Sequence, residues 1–299
     1  MEKFYKNKLI VILGPTASGK TDLSLKLAKK YKGEVVSADS RQVYKGLDIG
    51  SGKITKKEMR GVPHHLLDVA NPKRRFTVAQ YQKLAFRAIK DIQNRNKLPI
   101  LVGGTGFYIQ SIVDGIVIPE VKPNLKLRKK LENKSNDELY KILFEKDPLR
   151  AKNIDKQNPR RLIRALEIIL TTKSPVPILN KKNEFNVLQI GILKSKDELE
   201  NNISKRLKKR LLNNIMINEI KNLHKTLSWK RLEEFGLEYR FVAQYIQNKI
   251  TREEMIDKIQ IESEHYAKRQ MTWFKRDKKI NWIKNQSEAV AFIKKFISD

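Results

Sequence analysis

The stretch "LIVILGPTASGKTDL", residues 9–23, decides the fold class. Its first residues belong to an unbroken apolar run, KLIVIL at 8–13, closed by Gly14-Pro15. A short run without polar alternation reads as a strand buried on both faces. Just beyond, Leu23, Leu27 and Tyr31 recur at i, i+4 and i+8, so a helix is expected from about Lys20, with Gly33 marking its end. Between strand and helix, Gly14, Gly19, Lys20 and Thr21 complete G-x-x-x-x-G-K-[ST]. The glycines let backbone N–H groups converge on phosphate oxygens, and the helix N-terminus favours the anion. Lys20 adds a point charge and Thr21 can ligate Mg²⁺. Gly14, Pro15, Thr16, Ala17, Ser18, Gly19, Lys20 and Thr21 are therefore the expected diphosphate-binding loop.

Working outward, "EVVSAD" at 34–39 reads as a second strand that delivers Asp39 and Ser40 at its C-terminal end. Val78, Tyr81, Leu84, Ala85, Ala88, Ile89 and Ile92 make one helical face, and "LPILVGG" at 98–104 is a third buried strand. Strand and helix alternate through this region, which predicts an α/β parallel sheet flanked by helices. In such sheets ligands sit beyond the strand C-termini, the edge where Gly14, Asp39 and Thr105 fall. The texture changes at 119–182, a charged, helix-like stretch without strand signals, opened by "IPEVKPN" and closed by "TTKSPVPILNKKN". This predicts a helical insertion domain at 119–182 between a first core part, 1–118, and a core completion, 183–299. Within the latter, "NVLQIGI" at 186–192 reads as a strand, and 196–225 and 251–275 as long helices.

The chain has 299 residues and no cysteine, which excludes a disulfide framework and cysteine-based zinc sites and suits a reducing compartment. None of its four histidines falls in an H-E-x-x-H arrangement, and His64 and His65, after Pro63, read as structural. No segment approaches the apolar length of a membrane span, so a soluble cytoplasmic protein is expected. The net charge is +30, spread over the chain; residues 120–182 alone hold 17 basic against 8 acidic side chains. A polyanionic partner explains this excess, and so does a lysine-rich compositional bias.

Function turns on what the loop holds. P-loop ATPases usually end a second apolar strand in a Mg²⁺-ordering Asp, whereas "LPILVGGTG" ends in Gly-Gly-Thr. The acidic strand end is Asp39, on the strand just after the loop helix. A carboxylate there suits a general base acting on an acceptor, and equally a turn or helix cap in "ADSRQ". Two mechanisms stay open on pattern alone. A nucleoside or metabolite kinase would hold ATP in the loop; another transferase would hold a diphosphate as leaving group and move the organic part.

Several strings beyond the loop occur together in order: "GPTASGKT" (14–21), "SADSRQVYKGLDIGSGK" (37–53), "PHHLLD" (63–68), "LVGGTGFY" (101–108), "NPRRLIRALEI" (158–168) and "YAKRQMTWFKR" (266–276). With these the chain resembles the tRNA dimethylallyltransferases, also called tRNA isopentenyltransferases, over nearly its whole length. The resemblance implies a P-loop NTPase-like core and transfer of a dimethylallyl group from dimethylallyl diphosphate to the exocyclic amine of the adenine 3′ of a tRNA anticodon. The implied partners are the tRNA anticodon stem-loop and dimethylallyl diphosphate, the cofactor Mg²⁺ held by Thr21, and the chain a monomer. The absent Mg²⁺-ordering Asp then fits, since no ATP is cleaved.

Carried over residue by residue, the resemblance implies catalytic roles for Asp39, Thr16 and Arg206. It implies tRNA contacts at Asp39, Ser40, Arg41, Gln42, Thr105 and Lys126, and in the insertion at Arg160, Arg161, Leu162, Ile163 and Arg164. Where the family usually has R-I-x-x-R, Asn202 replaces the first arginine, so Arg210 is an alternative to Arg206. "EFGLEYR" at 234–240 also departs from the usual form and carries no assigned site residue. Trp273 and Phe274 read as core, while Lys268, Arg269 and Gln270 are candidates to line the donor channel.

Overall fold

The structure is a computed structural model that describes residues 5–119, 121–177 and 184–298. The chain divides into two compact units, Met1–Gly115 with Asn183–Asp299, and Ile116–Lys182. The larger begins β1 (Lys8–Leu13), α1 (Lys20–Lys30), β2 (Gly33–Ala38), α2 (Lys56–Met59), β3 (His64–His65), α3 (Val78–Asn94), β4 (Leu98–Gly103) and α4 (Gly106–Val113). The smaller holds α5 (Leu125–Glu132), α6 (Asn136–Lys146), α7 (Pro148–Lys152) and α8 (Pro159–Thr172). The larger resumes with β5 (Asn186–Ile192), α9 (Lys196–Leu211), α10 (Ile215–His224), α11 (Trp229–Glu234), α12 (Leu237–Ile246), α13 (Arg252–Phe274), β6 (Asn281–Ile283) and α14 (Gln286–Ser298).

The strands form one sheet in the order β3-β2-β4-β1-β5-β6, every described pairing parallel. Helices cover both faces, which is why the central strands lack polar alternation. Leu9, Val11 and Leu13 of β1 face one core with Tyr81, Ala85, Ile89 and Ile92 of α3. Ile10 and Ile12 face the other, with Leu23 and Leu27 of α1 and Ala289 and Ile293 of α14. Register places Ile10 level with Ile100 of β4 and Leu188 of β5, so one apolar layer crosses three strands. This is the P-loop NTPase-like arrangement, with the ends of β1, β2 and β4 at one sheet edge.

Three expectations change. Gly33 opens β2, and the positive φ that ends the preceding helix falls on Lys32 (50°). The single helix expected over 196–225 is broken, because Asn213 and Asn214 both adopt left-handed backbone (φ 49° and 55°) and redirect the chain between α9 and α10. The sequence reading also missed β6, whose three residues are too few to show a period. No helix among the described residues is long and apolar enough to cross a membrane.

Within the smaller unit, Leu131, Leu139, Leu143, Leu162, Leu166 and Ile169 close a separate apolar core. Glu167 is fully buried and accepts from Arg128 Nη2 (2.6 Å), Arg164 Nη1 (2.6 Å) and the Asn124 backbone N–H (2.7 Å). Burial alone would push this carboxyl up; the donors override it and hold it at about 2. The residues of the expected tRNA contact set in this unit therefore differ in surroundings. The side chains of Leu162 and Ile163 are packed into this core, and Arg164 is drawn onto Glu167. Arg160, Arg161 and Lys126 remain exposed.

Candidate active site

The loop between β1 and α1 is shaped by backbone that ordinary residues avoid. Gly19 caps α1 in left-handed conformation (φ 89°), a position suited to a residue without Cβ. No side chain caps α1, so its first-turn N–H groups are left for an anion. Ser18 Oγ is buried and has no hydrogen-bond partner among the described residues, a further donor in the same loop. Lys20 Nζ donates to the Pro15 carbonyl at 2.5 Å.

Helix α9 brings cations and amides to this loop from far along the chain. Arg206 Nη2 donates to Thr16 Oγ1 at 2.7 Å, and Asn202 Nδ2 donates to the Ala17 carbonyl at 3.2 Å. The residue that replaces the usual arginine therefore still reaches the loop. Arg210 instead donates to Glu238 Oε1 (2.7 Å) and the Gly50 carbonyl (3.1 Å), so Arg206 is the α9 arginine on the loop. Burial, then repulsion from Arg206, lowers the Lys20 ammonium to about 7; burial, then Arg210, lowers Arg206 to about 10. Both groups thus gain when a polyanion arrives.

At the end of β2, Asp39 Oδ1 accepts from the backbone N–H of Arg41 (2.8 Å) and Gln42 (3.2 Å). The carboxylate therefore does make the turn that "ADSRQ" suggested, and neither bond uses Oδ2. Thr105 Oγ1 accepts from the Ser40 N–H at 3.0 Å, linking the end of β4 to the same segment. Burial pushes the phenol of Tyr266 on α13 up to about 12, so it stays protonated.

One cavity of about 580 Å³ is lined by residues 16–21, by Asp39 to Gln42 and by Arg206. Gly14 and Pro15 lie at the end of β1 just ahead of this lining, and Lys126 and Arg160 to Arg164 belong to the smaller unit. Phe235, Gly236 and residues 237–240, from the departing "EFGLEYR" string, also line the cavity. Of the channel candidates, Arg269 and Gln270 line it, whereas Lys268 is exposed elsewhere. Phe274 is core as expected, and Trp273 packs half-buried against it. His65 Nε2 pairs with Glu34 at 2.7 Å, away from the loop.

Residues 42–277 match the family described as IPP transferase. The chain belongs to that family. It is 41% identical over 282 residues to the tRNA dimethylallyltransferase of Anoxybacillus flavithermus, covering 92% of this chain and 90% of that one. It is 43% identical over 288 residues to tRNA dimethylallyltransferase 2 of Treponema denticola, covering 93% and 96%. The crystal structure of the full-length tRNA isopentenylpyrophosphate transferase from Bacillus halodurans superposes with a TM-score of 0.73 at 37% identity, covering 98% and 96% of the two chains. A eukaryotic dimethylallyltransferase acting on tRNA gives a TM-score of 0.78 at 27% identity, covering 98% and 80%. The kinase that pattern alone left open has no support among these relatives.

In this IPP transferase-family chain, several groups that shape the site gave no sequence signal. Glu219 of α10 accepts from the backbone N–H groups of Asp48, Ile49 and Gly50 (3.1, 2.6 and 3.1 Å) and from the Tyr239 hydroxyl (3.0 Å). Tyr239 also accepts from the Ser51 N–H at 3.1 Å. The loop so held offers the Gly52 carbonyl to Gln42 Nε2 at 3.3 Å, which orients a residue of the expected base-contacting segment.

The Lys20 environment carries a pH prediction. With the free ammonium near 7 and a bound diphosphate raising it, its contribution to diphosphate affinity is full below pH 7 and declines as pH rises above it. Lys20→Arg keeps its charge through this range. Wild-type affinity for inorganic pyrophosphate should therefore fall relative to Lys20→Arg between about pH 7 and 9, by up to about tenfold per unit. Titration of the ligand itself is common to both proteins and cancels in the ratio. A ratio independent of pH would place the lysine pKa outside this window.

Proposed function

We propose that this chain transfers a dimethylallyl group from dimethylallyl diphosphate to the exocyclic amine of the adenosine 3′ of the anticodon in tRNA, releasing diphosphate. The observation that carries the reading is one cavity lined both by the cationic phosphate loop and by the Asp39 carboxylate. The names of its relatives support the same reaction. As the allylic C–O bond breaks, its electron pair goes to the diphosphate, where Lys20, Arg206 and the first N–H groups of α1 stabilise the growing charge. The adenine amine forms the new C–N bond and gives up one proton to Asp39. The Thr105–Ser40 link holds the segment that receives the base. The base must leave its loop stack to enter, which favours an unpaired anticodon loop.

The donor set suits Mg²⁺: the exposed Thr21 hydroxyl and the Asp22 and Asp39 carboxylates, all oxygen, line the cavity. Among the described residues no cluster of three His, Cys, Asp or Glu could hold a metal, so the ion would be bound mainly through substrate phosphates. When bound it supplies charge neutralisation at the leaving diphosphate.

The deciding experiment is mass spectrometry of tRNA nucleosides after incubation with dimethylallyl diphosphate and Mg²⁺, beside a parallel incubation with γ-labelled ATP. Isopentenyladenosine in the first and no label transfer in the second is expected. Label in an acceptor without isopentenyladenosine would replace the reading with a kinase.

The smaller unit is assigned to the anticodon stem. Arg160 and Arg161 stand in the first turn of α8, capped by Asn158, where helix polarity and side-chain charge both attract phosphate. Because Arg164 supports Glu167, the informative variant is Arg160→Gln with Arg161→Gln. It should lower the slope of log K against log salt for tRNA by roughly one per lost phosphate contact. Pyrophosphate binding should be unchanged. Superimposable salt series for variant and wild type would return both arginines to an ordinary solvated face.

A further inference from the structure

The candidate active site is assembled from two strand ends of the sheet. The phosphate loop follows β1, and the Gly104–Thr105 edge follows β4. A single buried side chain from α13 bridges them. Gln270 Oε1 accepts from the Thr16 backbone N–H at 2.7 Å, and Gln270 Nε2 donates to the Gly104 carbonyl at 2.8 Å. The partners dictate which end of the amide is which, since a backbone N–H only donates and a carbonyl only accepts. Gln270 is 6% exposed. Gly104 makes room for it: a Cβ there would lie 2.2 Å from Gln270 Nε2.

One turn earlier on the same helix, Tyr266 lines the same cavity as Gln270. Residues i and i+4 lie on one helical face. One face of α13 thus touches the loop that holds the donor and the edge that holds Ser40 and the acceptor. The bridge also removes the Thr16 N–H from the set of amides free for phosphate, so the cradle begins after Thr16. Thr16 is held from both sides, by Gln270 on its amide and by Arg206 on its hydroxyl.

We propose that Gln270 is a positioning residue that sets the spacing between the diphosphate loop and the Gly104–Thr105 edge, and with it the alignment of donor carbon and adenine amine. This rests on the transfer reaction proposed above. Misplacement of about 1 Å can cost about a hundredfold in such reactions, so the bridge acts on the chemical step. Glutamine suits the task because it donates and accepts without adding charge beside the leaving diphosphate. An ionised carboxylate could only accept, and a thioether of equal length could do neither well.

The test uses the full chain with Gln270→Met and Gln270→Glu. Single-turnover transfer, tRNA affinity and thermal midpoint are measured for each. Gln270→Met should slow transfer by about 10- to 100-fold while tRNA affinity stays within about threefold. Gln270→Glu should be similarly slow at pH 8 and recover towards wild type as pH falls. Protonation restores a donor for the Gly104 carbonyl, and burial brings that protonation above the ordinary carboxylate range. Taking the ratio to wild type at each pH cancels the pH dependence of Asp39 and Lys20. If Gln270→Met does not fold, the pH ratio of Gln270→Glu decides alone. A flat ratio, or variants that transfer at wild-type rates, overturns the inference while leaving the reaction intact. A wild-type chain that makes no isopentenyladenosine overturns the reaction and the inference with it.

Discussion

Asp39→Asn should retain tRNA binding and lose turnover by about 10²–10⁴-fold, the range for removal of a general base. The substitution is a clean one at this position. Asp39 Oδ1 holds the N–H groups of Arg41 and Gln42, and the asparagine Oδ1 can accept both. The turn that presents Ser40, Arg41 and Gln42 therefore survives, while the proton acceptor is lost. Asp39 also stabilises the charged forms of Lys20 and Arg206. Its removal should thus weaken the two cations' protonation slightly, an effect that bound diphosphate counteracts. Single-turnover rate and tRNA affinity, measured together, separate the two roles. A variant within about threefold of wild type in rate would remove Asp39 from proton transfer.

Arg206→Ala should lower the single-turnover rate by about 10²–10³-fold, as loss of one preorganised donor at a developing charge does elsewhere. Its guanidinium is partly buried and already hydrogen-bonded to Thr16, so part of its desolvation cost was met during folding, and the proposed diphosphate would meet a positioned cation. Transfer should fall more than tRNA affinity, because that cation acts on the leaving group. Arg206→Lys should recover only part of the rate, since an ammonium lacks the planar fork that spans a hydroxyl and a phosphate oxygen. Arg210→Lys gives the contrast. Arg210 is committed to Glu238 and the Gly50 carbonyl, so its loss should show first in thermal midpoint. Collapse of tRNA affinity in Arg206→Ala with normal single-turnover chemistry would reverse the assignment.

Much of this site was legible because its parts are local. The phosphate loop is eight consecutive residues whose glycines, lysine and threonine act through backbone and short side chains. Asp39 could be placed at a sheet edge by strand length alone. Of its two roles, base or turn residue, the structure shows the turn, made by one carboxylate oxygen, and the other oxygen takes no part in it, so the proposed base role is compatible with the turn. Other features were hidden for identifiable reasons. Leu162 and Ile163 sit in a string with exposed arginines, and linear adjacency hides that a helix turns neighbours to opposite faces. The break at Asn213–Asn214 falls on residues that tolerate left-handed backbone but do not require it.

The sequence by itself determined the parallel α/β core, the position of the loop between β1 and α1, and the helical character of the described residues 125–172. Strand and helix periods, and the loop's steric demands, are properties of short segments, and short segments are what a sequence displays. Only the tertiary structure decided which distant groups meet them. Arg206 reaches Thr16 across 190 residues, Gln270 reaches the same residue across 254, and Glu219 gathers three amides of the 48–50 loop from α10. Such contacts depend on how helices pack against the sheet, and their hydrogen bonds leave no period along the chain. The choice between Arg206 and Arg210 shows why. They lie one helical turn apart on α9, and only the packing of that helix turns one onto the phosphate loop and the other onto Glu238.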